Sequence, residues 1–173
     1  MPNYSKSGKI LVPLTEQQFI EGMEKGKFCQ DKHRGLASLF YYTGVRLSEA
    51  LRSKKEQYSL QNKRIYFDVL KRLKHGLQTP PLTIPLSKPY AETIWEAVEN
   101  TKPKRRVFPY CDKTGYNVIS RLWFYPHHLR LTRITDLFNK GFTIPEIRTY
   151  TGLTLNALNF YIGLATIEKM GEA

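Results

Sequence analysis

Cysteine is nearly missing from this chain. Cys29 and Cys111 are the only two, far apart and in no metal-type spacing, which argues against a disulfide framework or a zinc site and fits a reducing cytoplasm. Long apolar runs are missing as well. None approaches the ~20 residues that cross a bilayer, and the opening stretch MPNYSKSGK lacks the apolar segment of a signal peptide. A soluble intracellular protein with no membrane partner is expected. Acidic residues are the third shortage: 15 Asp and Glu stand against 27 Lys and Arg, for a formal charge of +12 and an isoelectric point near 9.7. That imbalance points to a polyanionic partner, the alternative being a basic face that is merely solvated.

What is present belongs to a folded globule. An apolar content of 41% with 13% aromatics separates the chain from disordered basic tails, which are poor in both. Its 173 residues suffice for one core of ordinary size, so a single domain over 1–173 is expected, with no internal repeat or low-complexity linker.

Hydrophobic periodicity predicts mostly helix. Thr15 with Gln18 three residues on is a capping-box start for a helix that closes near Gly26. A second helix runs through HRGLASLFYYTG to a stop at Gly44, and a third restarts in VRLSEALRSKK, leaving Arg46 at the junction. KRIYFDVL alternates as a strand does, and LTIPLS is a second strand that Pro80, Pro81 and Pro85 confine to an edge. The pair predicts a small antiparallel hairpin whose connection carries Lys71, Arg72, Lys74 and His75. Ser87 is the expected cap of an amphipathic helix with Ile94, Trp95 and Val98 facing inward. Then come a short helix in YNVISRLW, a longer one in HHLRLTRITDLFNK after Pro126, and TIPEIRTY with a Thr143–Glu146 capping box and Pro145 in its first turn. TLNALNFYIG is the last helical stretch.

On a wheel of ~100° per residue, Leu131, Ile134, Leu137 and Phe138 of the HHLR helix define an inward arc, with Thr132, Asp136, Asn139 and Lys140 opposite. Arg130 and His127 fall in or beside that arc, one turn apart, and His128 points elsewhere. A guanidinium on the apolar side needs an anion, either a buried Asp or Glu or a bound phosphate. Arg46 poses the same choice at a helix start, where backbone N–H groups favour an anion; alternatively it forms a surface pair with Glu49 worth well under ~1 kcal/mol. Lys71 and Lys74 read equally as solvated loop residues, and Tyr161 as a packing tyrosine.

Taken together, TGVRLSEAL, a basic hairpin, HHLR, IRTYTG and a tyrosine near the C-terminus resemble the catalytic domain of the tyrosine recombinases, the phage integrase family. The resemblance runs from about Thr15 to Tyr161 and leaves 162–173 as a C-terminal tail. It implies a mainly α fold with a small antiparallel sheet, and an enzyme that cleaves and rejoins double-stranded DNA through a covalent 3′-phosphotyrosyl intermediate, without a cofactor. Arg46 and Arg130 would clamp the scissile phosphate, and Glu49 would hold Arg46. His127 would assist proton transfer, Lys71 or Lys74 would protonate the departing 5′ oxygen, and Tyr161 would be the nucleophile. Assembly up to a tetramer on paired sites is implied, in the cytoplasm of a prokaryotic cell or encoded by a virus or mobile element.

Three departures from the family pattern bear on function. Leu153 stands where the family has a histidine or tryptophan, and it cannot hydrogen-bond a phosphate oxygen. The interval from Gly152 to Tyr161 is one residue shorter than usual, which makes Tyr150 the fallback nucleophile. No separate N-terminal DNA-binding domain is expected ahead of Arg46. A recombinase-derived DNA-binding protein with weak or lost cleavage, or a topoisomerase-like nicking and closing enzyme, are the competing readings.

Overall fold

The computed structural model of the chain describes residues 12–26, 29–67, 81–159 and 161–162. Among the described residues are seven helices, α1 (Glu16–Lys25), α2 (Asp31–Thr43), α3 (Leu47–Arg52), α4 (Ala91–Glu99), α5 (Asp112–Ser120), α6 (Pro126–Asn139) and α7 (Ile144–Thr151), and three two-residue strands, β1 (Tyr58–Ser59), β2 (Arg64–Ile65) and β3 (Leu82–Thr83). Residues 155–159 and 161–162 are helical again. This is the mainly α class with a small antiparallel sheet that the periodicity predicts.

Local chemistry sets the helix starts. Thr15 and Thr143 each form a full capping box, with Gln18 and Glu146 respectively, so backbone N–H groups at these helix starts are satisfied by local side chains. Ser87 does not cap α4. The chain between Pro85 and Tyr90 turns instead, and Tyr90, in the left-handed region at φ 58°, precedes the first helical residue. Pro89 explains the shift, because proline disfavours helical geometry at the residue before it.

The sheet has three strands rather than the expected two. β1 pairs with β2 and β2 with β3, all antiparallel, with Tyr58 opposite Ile65 and Ile65 opposite Leu82. β1 is two residues long and shows no alternation to read. β3 lies at the edge of the sheet, where a proline beside the strand is tolerated.

Two apolar clusters hold the elements together. The larger unites α1 to α5 around Phe19, Met23, Leu36, Leu39, Phe40, Ile94 and Trp95, and reaches Leu129 on α6. Phe19 stacks on Tyr41 with ring centroids 3.9 Å apart. α2 and α4 approach closely at Gly35, where a Cβ would lie 2.7 Å from the Thr93 carbonyl oxygen. The smaller cluster joins Leu131, Ile134 and Leu137 of α6 to Ile147, Leu158 and Tyr161. α6 therefore spans both clusters, and the residue at their seam is Arg130.

One side of α6 differs from the wheel. Thr132, expected to face solvent, is only 6% exposed, because the segment ahead of α1 lies over it and the Leu14 N–H donates to its hydroxyl at 2.9 Å. A wheel drawn from one helix has no knowledge of a strand-like segment from elsewhere in the chain.

Candidate active site

Arg130 is 6% exposed, and no carboxylate among the described residues is bonded to it. Its Nη1 donates to the Gly44 carbonyl at the end of α2, and its Nη2 donates to the Thr151 carbonyl at the end of α7 at 3.0 Å. Its partners among the described residues are thus backbone carbonyls, and not the buried Asp or Glu considered from the sequence. Backbone dipoles hold the guanidinium in place without cancelling its charge. Burial first, and the like charge of Arg46 second, lower its pKa to about 10, with Glu49, Tyr161 and Tyr150 acting in the opposite sense. At neutral pH it remains a cation.

Arg46 comes to the same place from α3. Its backbone N–H donates to Glu49 Oε2 at 3.1 Å, its Nη1 to Glu49 Oε1 at 3.0 Å, and its Nη2 to the Gly152 carbonyl at 3.2 Å. The Glu49 side chain is 5% exposed and that of Arg46 28%, so this is not the surface pair of the simplest reading. It is a carboxylate sunk beneath a half-open guanidinium.

The two arginines, 84 positions apart in the sequence numbering, meet at the junction of α2 and α7. A cavity of about 20 Å³ beside them is lined by Thr43, Gly44, Glu49, Arg130, Phe67 and Leu82, among others. Phe67 and Leu82 are described residues on either side of the hairpin connection. Lys71 and Lys74 themselves lie outside the described residues.

His127 sits exposed in the first turn of α6, not buried beside Arg130 as the wheel places it. Tyr125 is the extended residue before the helix; in the first turn Pro126 and Leu129 are buried while His127 faces solvent, and Arg130 one turn on is covered. His128 is on another face and half-buried, its Nε2 against the Val12 carbonyl. Burial lowers its pKa and the Val12 contact opposes the shift.

Tyr161 is 8% exposed within the smaller cluster, and near enough to Arg130 to act on its ionisation. Tyr150 accepts from Arg133 Nε and donates to the Tyr42 carbonyl, both at 3.5 Å, with the Arg133 guanidinium 5.6 Å above its ring. Burial raises its pKa, with Arg133 and Arg130 acting in the opposite sense. Leu153 packs half-buried against the smaller cluster.

Sequence reasoning overlooked the backbone acceptors Gly44, Thr151 and Gly152, and the cation over Tyr150, Arg133. One signal was available. The tripeptide Tyr-Thr-Gly occurs at 42–44 and again at 150–152, once at the end of each helix that supplies a carbonyl.

No protein-family model and no curated protein matches the sequence. Solved structures do match the fold. The XerA recombinase superposes with a TM-score of 0.70 at 16% identity, over 93% of this chain and 63% of that one. The Tn1549 transposon integrase in complex with a circular intermediate DNA gives 0.64 at 15% identity, over 95% of this chain and 67% of that one. The XerH site-specific recombinase bound to difH gives 0.61 at 18% identity, over 92% and 55%. The fold is thus that of the tyrosine recombinase catalytic domain, and this chain spans somewhat under two thirds of the XerA chain.

Proposed function

We propose that the protein is a site-specific DNA recombinase or integrase that cuts and rejoins double-stranded DNA through a 3′-phosphotyrosyl intermediate. The observation that carries this reading is the convergence of Arg46 and Arg130 on one pair of helix ends, within a recombinase fold and beside Tyr161. A buried guanidinium whose partners among the described residues are carbonyls retains a positive charge, and a phosphate diester is an anion that would match it.

In this reading the Tyr161 oxygen attacks phosphorus, the bond to the 5′ oxygen breaks, and His127 takes part in moving the phenolic proton. The departing 5′ oxygen receives a proton from Lys71 or Lys74. Arg46 and Arg130 bind the two non-bridging oxygens, whose charge grows in the transition state. Rejoining reverses these steps: a 5′ hydroxyl attacks, and the tyrosine leaves with its proton. Because Tyr161 is packed among Ile147 and Leu158, cleavage includes a displacement of the segment after α7. The exposed basic loop Lys102–Arg106 supplies contacts to the phosphate backbone, and protomers assemble on paired sites.

Leu153 favours a second reading, a DNA-binding relative that has lost cleavage, because an aliphatic side chain there leaves one phosphate oxygen without a donor. A single experiment separates the two. A pool of duplexes randomised in their central segment, each nicked so that the 5′ fragment diffuses away after cleavage, is incubated with the protein, washed under denaturing conditions and re-amplified. Retained DNA that disappears with Tyr161→Phe supports cleavage; binding without retained DNA supports the second reading.

A further inference from the structure

The two Tyr-Thr-Gly helix ends are built alike, atom for atom. Thr43 Oγ1 donates to the Leu39 carbonyl at 2.6 Å and accepts the Val45 N–H at 3.2 Å. Thr151 Oγ1 donates to the Ile147 carbonyl at 2.8 Å and accepts the Leu153 N–H at 3.3 Å. Each hydroxyl thus bridges from the carbonyl four residues back to the N–H two residues on. The glycines match too, with φ 62° and ψ 19° at Gly44, and φ 64° and ψ 20° at Gly152. Their N–H groups return to Phe40 and Arg148 carbonyls at 2.8 and 2.9 Å. The Tyr150 hydroxyl joins the two ends by donating to the Tyr42 carbonyl at 3.5 Å.

This arrangement consumes the N–H groups of both turns and leaves particular carbonyls facing outward. Gly44 and Thr151 present theirs to Arg130, and Gly152 to Arg46. We propose that Thr43 and Thr151 are positioning residues for the arginine pair. Their hydroxyls fix the direction of the carbonyls, and the carbonyls fix two of the five donors of the Arg130 guanidinium so that the rest are preset for an anion. Thr43 is 2% and Thr151 5% exposed, so neither hydroxyl is itself available to a ligand.

The consequence for DNA cleavage rests on the function proposed above; the consequence for Arg130 does not, and the test has an arm for each. Thr43→Val and Thr151→Val keep the side-chain shape and delete the hydroxyl, and Thr43→Ser and Thr151→Ser keep it. Should the valine variants fold poorly, the corresponding alanine variants delete the hydroxyl without placing a methyl group there. In the first arm, nitrogen-15 NMR of DNA-free protein follows the Arg130 Nη resonances, assigned with Arg130→Lys. Slow guanidinium rotation keeps Nη1 and Nη2 resolved in the wild type and the serine variants, and the valine variants merge them. Resonances that stay resolved in both valine variants overturn the proposal.

In the second arm, covalent adduct formation is timed on a duplex recovered from the randomised pool, with either a phosphate or a neutral methylphosphonate at the cleaved position. The valine variants slow the phosphate reaction by about 10²-fold, serine restores it, and the defect shrinks on the methylphosphonate, which needs less charge compensation. An equal defect on both substrates means a general loss of structure and overturns the positioning role. A wild type that forms no adduct rejects the cleavage reading, and the NMR arm then decides the positioning claim alone.

Discussion

Arg46 and Arg130 are the same residue type in the same junction, yet they are neutralised in opposite ways. Arg46 is half-open and lies on a buried carboxylate, Glu49. Arg130 is buried and, among the described residues, is bonded to carbonyl oxygens alone. One charge is balanced before any ligand arrives; the other is oriented but left standing. In the proposed reading, one carboxylate-paired and one carbonyl-held guanidinium leave net positive charge for a phosphate, whereas without Glu49 the two arginines would repel each other more strongly.

The largest effect should come from Arg130, the arginine held by carbonyls. Arg130→Gln is expected to reduce adduct formation by at least about 10²–10³-fold. It also leaves the Gly44 and Thr151 carbonyls without a donor of the right reach, lowering stability by about 1–3 kcal/mol for each group left unmet, read by urea unfolding. Arg130→Lys should fare little better, since one ammonium cannot satisfy two divergent carbonyls and a phosphate together. If Arg130→Gln cleaves as well as the wild type, the contrast between the two arginines has no functional meaning.

Glu49→Gln addresses the paired side. The amide can still accept the Arg46 N–H, but the charge-assisted bond to Nη1 is lost, a cost of about 1.5–3 kcal/mol by the same measurement. DNA affinity at fixed salt should not fall, because the net positive charge of the site has increased. A fall would mean that Glu49 shapes the site more than it balances charge.

Gly44→Ala tests the cap that serves Arg130. Its φ of 62° costs a residue with a Cβ about 1–2 kcal/mol, and the added Cβ meets the Arg133 side chain at 3.1 Å. Both stability and adduct rate should drop.

The smallest effect lies on the far face of α6, where His128 meets a single carbonyl, that of Val12. Burial lowers the His128 pKa, so the unfolded chain protonates more readily than the folded one. This contribution is complete above the unfolded pKa of about 6.5 and is lost as pH falls through the lower folded value. His128→Gln should flatten the fall in melting temperature between pH 7 and pH 5. A slope that remains belongs to His33, whose pKa burial and the charges of Arg121 and Arg34 also lower.

The contrast between the arginines was only partly legible in the sequence. Thr15, Thr143 and Gly44 could be read because caps and left-handed stops are local, decided by side chains a few positions apart. The burial of Arg130 followed from helical periodicity. Its partners did not, because a backbone carbonyl belongs to every residue and carries no letter of its own. The exposure of His127 and the covering of Thr132 escaped the wheel for a related reason: both depend on where other segments of the chain happen to lie. Ser87 misled because a cap residue is also a common turn residue, and Pro89 decided between the two.

The most direct test of the proposed chemistry is peptide mapping by mass spectrometry of the covalent adduct formed with the nicked duplex pool. The account predicts a nucleotide remnant on Tyr161 and none in Tyr161→Phe. A remnant on Tyr150, or a wild type that binds the DNA and never becomes attached to it, would contradict it.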